Sequence, residues 1–147
     1  MADQTVNQRV ANRNQSTADY QTKKICIWDN RFLEGTFVNN TGGSLTLVPG
    51  MMVARHATLA NTFIPLVAGS LANFIGIAVQ EGSIVLADAG TVNINIVVAG
   101  TVDGTQLTPP ATTTLDTVQG GKSLEDIINA VGLHIDRSAV EQTKFDN

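Results

Sequence analysis

Charged and aromatic residues are scarce in this sequence. Charged residues make up 15% and aromatic residues 5% of the 147 residues, whereas about 25% charged residues is usual for a soluble domain. Between Phe32 and Gly121 the only lysine or arginine is Arg55. A nucleic-acid-binding surface needs several cations that converge on one groove or backbone. We therefore expect no nucleic-acid partner for the body of this protein.

Cysteine and histidine are also rare. Cys26 is the single cysteine, which excludes an intrachain disulfide and a cysteine-cluster zinc site. The two histidines, His56 and His134, are far apart, and neither has a second ligand at metal spacing. We expect no metal and no cofactor. Because Cys26 lies between Ile25 and Ile27, we interpret it as a buried structural thiol.

Long apolar runs are absent as well. No stretch approaches the roughly 18 consecutive apolar residues of a membrane-spanning helix. The first residues, "MADQTVNQRVANRNQ", are predominantly polar and lack the apolar core of a signal peptide. This pattern predicts a protein that is made in the cytoplasm and has no membrane partner.

Composition divides the chain into four segments. Residues 1–22 are dominated by Asn, Gln, Thr and Ser, which bury too little apolar surface to offset the entropy of ordering. We predict a flexible or extended N-terminal arm there. Residues 23–108 are predicted to form a β-rich body, residues 109–122 a Thr/Pro-rich linker, and residues 123–147 a short helix followed by a polar tail.

Short apolar segments separated by turn residues fill the predicted body. The clearest is the alternation of Val92, Ile94, Ile96 and Val98 with mostly polar residues, which predicts a strand with one core face. "DAG" at 88–90 predicts a hairpin between residues 83–87 and 91–98. Turn signals recur roughly every 8–12 residues, as in sandwiches and small barrels. The predicted fold is mainly β, with a small sandwich or barrel-like body.

Two further segments are predicted as strands near the start of this body. Alternation in "ICIWD" places Ile25 and Ile27 on one face and Cys26 and Trp28 on the other. Residues 36–38 follow as a separate short strand. The apolar run from Phe74 to Val79 predicts a buried strand, and Gly76 within it indicates a bulge or a close backbone approach.

Gly121, Lys122 and Ser123 precede a helical pattern and suggest a nucleotide phosphate loop. The motif G-x-x-x-x-G-K-[ST] requires a first glycine that lets the backbone curl around the phosphates. Asp116 occupies that position, and its carboxylate would repel a nucleotide. We therefore interpret Gly120 and Gly121 as a flexible entry to a short helix and expect no nucleotide site.

The helix itself has clear signals at both ends. Ser123 and Asp126 resemble a capping box, and Gly132 stands where a glycine C-cap belongs. Four apolar residues share one face, with the spacing i, i+3, i+4 and i+7: Leu124, Ile127, Ile128 and Val131. Because so short a helix does not persist alone in water, we expect it to pack on its own β body.

Catalytic motifs are missing from the sequence. It contains no G-x-S-x-G, no calcium-loop pattern and no serine close to a histidine, so we predict a protein that is not an enzyme. A small hydrolase on a β scaffold stays open as an alternative. It requires that His56 or His134 meet a carboxylate in the folded chain.

Three central stretches resemble the β-rich decoration (cement) proteins of tailed-phage heads: "LVPGMMVARH", "IPLVAGSLANFIGIAVQEG" and "AGTVNINIVVAGTVDGT". In those proteins "PG" introduces a strand, a small-residue strand like "IGIA" precedes an acidic turn, and an alternating strand then runs into a glycine turn. The resemblance spans roughly residues 34–107.

The resemblance implies a virion structural protein on the capsid exterior, which binds the major capsid protein and stabilises the expanded head by linking capsomers. It also implies a homo-oligomer, usually a trimer at local three-fold points, with the arm pairing with the shell. Candidate capsid contacts are the basic residues of residues 1–24, where they outnumber the two acidic ones: Arg9, Arg13, Lys23 and Lys24. The alternative is a head-fibre or tail-associated adhesin subunit that binds the host surface.

Overall fold

The computed structural model describes residues 25–137, which form a mainly β body with one α-helix. The strands are β1 (Cys26–Val38), β2 (Leu45–Leu47), β3 (Met52–Arg55), β4 (Thr62–Pro65), β5 (Phe74–Ala78), β6 (Ile84–Leu86), β7 (Thr91–Asp103), β8 (Val118–Gln119), β9 (Lys122–Ser123) and β10 (Leu133–Asp136). The helix α1 (Leu124–Val131) lies between β9 and β10, and 3₁₀ segments span Ala68–Asn73 and Gly104–Gln106. The predicted arm, residues 1–22, lies outside the described residues.

Five of the strands close into a barrel. Their order is β1-β4-β3-β5-β7, and β7 pairs back onto β1. The β1–β4 pair is parallel, and the other four pairs are antiparallel. β10 adds to β7 in parallel, with Leu133 opposite Gly100. The structure therefore confirms the predicted mainly β, barrel-like body with one short C-terminal helix.

Apolar side chains form two clusters, because alternate residues of each strand point to opposite faces of the barrel wall. The inner cluster contains Phe37, Leu47, Val53, Phe63, Ala78, Leu86, Ile94 and Ile96. The outer cluster includes Met52, Ala54, Phe74, Ile77 and Val97 from the barrel and Leu124, Ile127 and Ile128 from α1. The helix thus packs on its own β body, as predicted, although Val131 at its end is 40% exposed.

The start of α1 has the predicted capping box. Ser123 Oγ accepts a hydrogen bond from the Asp126 backbone N–H at 3.1 Å, and Asp126 Oδ2 accepts one from the Ser123 backbone N–H at 3.2 Å. Two of the N–H groups that a helix leaves unpaired at its start therefore have partners. Gly132 ends the helix with φ of +120°.

The interpretation of Gly120 and Gly121 as a flexible entry is wrong. Their φ values, +62° and +81°, place them in the two-residue turn that joins β8 to β9. Such turns need positive φ at both central residues, which glycine adopts without strain. Residues 118–123, predicted to belong mostly to a linker, thus form a hairpin, and the Gln119 side chain ties it to Ala68 O and the Leu71 N–H at 3.0 and 2.7 Å.

Asp116, which stands at the first position of the rejected phosphate loop, has a structural partner instead. Its Oδ1 accepts a hydrogen bond from Arg137 Nη2 at 2.8 Å, and Arg137 also pairs with Glu125. The hydrogen bond from the guanidinium lowers the pKa of Asp116 below its usual value. The bridge joins the segment before the hairpin to the end of β10.

The Ser123 cap gives a test of the helix start. Ser123→Ala is expected to lower the free energy of unfolding by about 1 kcal/mol, because the Asp126 N–H loses its acceptor. Urea denaturation followed by circular dichroism measures the change. Ser123→Asp, which keeps a capping oxygen, is the control and is expected to stay close to the native protein. An alanine variant as stable as the aspartate variant would contradict the role of the cap.

The predicted hairpin between residues 83–87 and 91–98 is also wrong. β6 pairs with β2, with Leu86 opposite Leu45, while β7 pairs with β1, β5 and β10. A buried side chain that directly follows β1 contributes to this path. Asn39 Nδ2 donates to Leu86 O and Ala87 O at 3.1 and 3.0 Å, which ties the end of β6 to the segment after β1.

Candidate interaction surface

Two large aromatic side chains on β1 are exposed. Trp28 is 73% and Phe32 55% exposed, although both belong to a strand that is paired with β7. The register between the two strands shifts between Cys26 and Trp28, between Trp28 and Arg31, and again before Phe32. We call residues 28–31 the Trp28 bulge. It turns the tryptophan away from both apolar clusters.

The Trp28 bulge is held in place by specific contacts. Asn30 Nδ2 donates hydrogen bonds to Thr101 O at 3.0 Å and to Ala99 O at 3.4 Å. Gly100, opposite the bulge, has φ of +100°. A Cβ at that position would lie 2.5 Å from Asp29 O and 2.6 Å from Trp28 O. The close approach of the two backbones therefore depends on the glycine, as is usual where bulges re-aim a side chain.

Among the described residues, the edge of β1 that faces away from β7 is paired over only a short length. β1 pairs with β7 along its length but with β4 only at Thr36 and Phe37. Among residues 25–137, positions 27–33 have no strand partner on this edge. An open edge presents unpaired N–H and C=O groups to which another chain can add a strand. The edge and the Trp28 bulge are contiguous.

The two features lie where the N-terminal segment enters the body. The candidate contact residues predicted from the sequence, Arg9, Arg13, Lys23 and Lys24, lie outside the described residues, but Lys24 directly precedes Ile25 and β1. Trp28 was predicted only as a member of one face of the first strand. Its exposure follows from the bulge, which the alternation of apolar residues does not reveal.

A cleft of about 430 Å³ lies beside Phe32, and we call it the Phe32 cleft. It is lined by Phe32, Glu34, Val79, Gln80, Glu81, Asn93, Ile94 and Asn95. Glu34 lies opposite Asn95 in the β1–β7 pair, and Thr36 lies opposite Asn93. Thr36 Oγ1 donates to Asn93 Oδ1 at 3.1 Å. Within residues 25–137 no lysine or arginine lines the cleft.

A catalytic or metal site in this chain would use His56, His134 or Cys26, so the surroundings of these three side chains matter. His56 Nδ1 accepts hydrogen bonds from the backbone N–H groups of Thr58 and Leu59, both at 3.2 Å, and His134 is exposed. Within residues 25–137 neither histidine has an ion pair with a carboxylate, and no three His, Cys, Asp or Glu residues cluster as metal ligands. Cys26, which was predicted to be buried, is only half-buried, and this partial burial raises the pKa of its thiol.

Two further findings concern membrane spans and related proteins. No helix within residues 25–137 has the length and apolar character needed to cross a membrane. No protein-family model matches the sequence, and no curated protein matches it either.

Proposed function

We propose that this protein decorates the outer surface of a tailed-phage capsid and stabilises the expanded head by linking capsomers. The observation that supports this most is the Trp28 bulge. A tryptophan that is 73% exposed stands on a backbone segment fixed by Asn30 and Gly100, beside an open strand edge. Tryptophan is among the residues most enriched at the energetic centres of protein interfaces.

The proposed contact combines the bulge with the N-terminal arm. Trp28 fills an apolar pocket of the major capsid protein, and residues 1–22 run on along the shell. Arg9, Arg13, Lys23 and Lys24 then contact carboxylates of the shell. Ordering the arm on binding costs conformational entropy. The bulge does not add this cost, because its backbone already holds Trp28 in position before contact.

The proposed assembly is a homotrimer at the local three-fold points of the capsid exterior. Three arms from one trimer reach three capsomers, so that each further contact forms at a high effective concentration. The link is mechanical: separating two capsomers requires that at least one arm and one tryptophan be released. The low charge of the surface suits a chain that packs against other proteins.

Co-sedimentation with expanded capsids that lack this protein tests the proposal, with light scattering to measure the mass of the free protein. The native chain is expected to bind saturably at a symmetric stoichiometry. Trp28→Ala is expected to weaken binding about 30-fold, the effect of losing about 2 kcal/mol at a hot spot. Because the side chain is mostly exposed, the melting temperature should stay within a degree or two of the native value.

Val85→Ala is the matched control, since Val85 is 71% exposed and lies on β6, which pairs with β2 and not with β1. Its capsid binding is expected to equal that of the native chain. Removal of residues 1–22 is expected to reduce affinity independently of Trp28. A native chain that ignores capsids but binds host cells would replace decoration with the adhesin alternative. Equal binding by native and Trp28→Ala chains would remove the bulge from the contact.

A further inference from the structure

The Phe32 cleft is built on paired strands and so has fixed geometry. β1 and β7 are antiparallel there, with Phe32 opposite Val97 and Glu34 opposite Asn95. Directly opposed side chains lie about 5 Å apart at Cβ, and alternate residues of one strand share a face. The third wall follows β5, where the Val79 N–H donates to Asn95 O at 3.2 Å. The cleft is thus a depression in the outer face of the sheet.

The polar groups of the cleft have unused hydrogen-bonding capacity. Thr36 donates to Asn93 Oδ1, which orients that amide and leaves its Nδ2 as a donor. Among residues 25–137 the side chains of Glu34, Glu81 and Asn95 make no hydrogen bond or ion pair with another side chain. Carboxylates only accept, whereas amides both donate and accept. A hydroxyl group also does both, so a set of hydroxyls matches this lining.

An apolar surface lies next to these groups. Phe32 is exposed over more than half of its surface, and Val79 adds an aliphatic side chain to the lining. Small-molecule sites are usually apolar surfaces with a few placed polar groups and volumes of about 300–1,000 Å³. A sugar ring has this same division, with C–H groups on its face and hydroxyls around its rim.

Charge narrows the choice of ligand. Among residues 25–137, Glu34 and Glu81 line the cleft and no lysine or arginine does, so phosphate, sulfate and acidic sugars would meet repulsion from these carboxylates. The described residues hold no cluster of three metal-ligating side chains. We propose that the Phe32 cleft binds a neutral saccharide, with the sugar ring stacked on Phe32 and its hydroxyls hydrogen-bonded to Glu34, Asn93 and Asn95.

The proposal is independent of capsid docking, which depends on Trp28 and the arm. Saturation-transfer NMR and calorimetry on the full chain would use neutral disaccharides of glucose, galactose, mannose and N-acetylglucosamine as probes. At least one is expected to bind saturably with a Kd of about 1 mM. Phe32→Ala and Asn95→Ala are each expected to weaken that binding about tenfold or more. Phe32→Trp keeps a ring for stacking and should restore it.

One control variant and one variant of the site itself distinguish sugar stacking in the cleft from binding to any exposed aromatic ring or to negative charge. Trp28→Ala changes an exposed aromatic outside the cleft and is expected to bind the sugar as the native chain does. Glu34→Gln lies within the proposed site and keeps one acceptor oxygen while it removes the charge, so it is expected to weaken the binding of a neutral sugar about threefold, less than Phe32→Ala does. A lysine-rich peptide, tested in parallel, is expected not to bind.

The outcomes decide the proposal in both directions. Binding that Phe32→Ala and Asn95→Ala weaken about tenfold or more, that Glu34→Gln weakens less, and that Trp28→Ala preserves supports a saccharide site. Failure of all four disaccharides to bind overturns it, as does binding that Phe32→Ala leaves unchanged. Peptide binding that Glu34→Gln abolishes also overturns it and assigns the cleft to a basic protein segment. Circular dichroism of each variant confirms that the β body is intact.

Discussion

Replacing Gly100 with alanine is expected to lower the free energy of unfolding by about 3 kcal/mol or more. The native φ of +100° disfavours any residue with a Cβ, at a cost of roughly 1–2 kcal/mol. The added carbon would also lie 2.5–2.8 Å from Asp29 O, Trp28 O and Asn30 Cα, all of them backbone atoms that cannot rotate away. Urea denaturation measures the loss.

The control for this change is Gly69→Ala. A Cβ added at Gly69 would meet no neighbouring heavy atom within 4 Å, and the residue has no positive φ. Alanine there is expected to be neutral or slightly stabilising, because it lowers the conformational entropy of the unfolded chain. The proposed function adds a second expectation for Gly100→Ala. Because the Trp28 bulge must move to admit the Cβ, capsid binding should fall at temperatures where the variant is still folded. A Gly100→Ala chain as stable as Gly69→Ala would show that the bulge is not constrained by the glycine.

The elements that were predicted well depend on neighbours in sequence. The helix α1 begins and ends as its cap residues indicate, since Ser123 and Asp126 bond to each other within one turn. The alternation along β7 predicted a strand with one buried face, and Ile94 and Ile96 are indeed buried. Gly76 was predicted to mark a bulge or close approach, and a Cβ there would lie 2.8 Å from Val97 O, beside a register shift between β3 and β5.

Strand pairing was predicted less well, because the contacts that decide it are distant in sequence. β1 was expected as two short strands at residues 25–29 and 36–38, whereas it is one strand of 13 residues. The polar residues of the bulge interrupt its apolar pattern, and the bond from Asn30 to Thr101 O that keeps the strand continuous spans 71 positions. No local pattern contains such a partner.

The two candidate surfaces differ in how far sequence could have revealed them. The Trp28 bulge left a signal: the single tryptophan of the chain is followed by Asp29, Asn30 and Arg31, where a buried strand would continue with apolar residues. The Phe32 cleft left none. Its composition depends on the register that sets Glu34 opposite Asn95, and a shift of β1 by one residue would turn Phe32 and Glu34 to the barrel interior.

The Asn39 side chain joins two parts of the chain that are distant in sequence, the loop after β1 and the end of β6. The side chain is fully buried, and Nδ2 donates to Gly43 O, Leu86 O and Ala87 O at 2.7, 3.1 and 3.0 Å. Oδ1 accepts from the Thr41 N–H and hydroxyl at 3.1 and 2.7 Å. One amide therefore gives polar partners to a loop after β1 and to the end of β6. Without it, the buried Leu86 carbonyl and the part-buried groups of Gly43, Ala87 and Thr41 would need water or a different chain path.

Asn39→Ala is accordingly expected to lower the free energy of unfolding by about 2–4 kcal/mol, because the buried Leu86 carbonyl loses its partner at roughly 1–3 kcal/mol and the part-buried groups add smaller losses that water partly offsets. Urea denaturation measures the loss. Asn40→Ala, at an exposed neighbouring asparagine, is expected to change the free energy of unfolding by no more than about 0.5 kcal/mol.

Asn39→Asp gives a second test, which depends on pH. Its second oxygen would face three carbonyl oxygens in place of a donor, so this variant should be at least as unstable near neutral pH. It should regain stability as the pH falls, because the protonated carboxyl can donate again. If Asn39→Ala and Asn40→Ala were equally stable, the pairing of β6 with β2 would have to come from the apolar contacts of Leu47 and Leu86 alone.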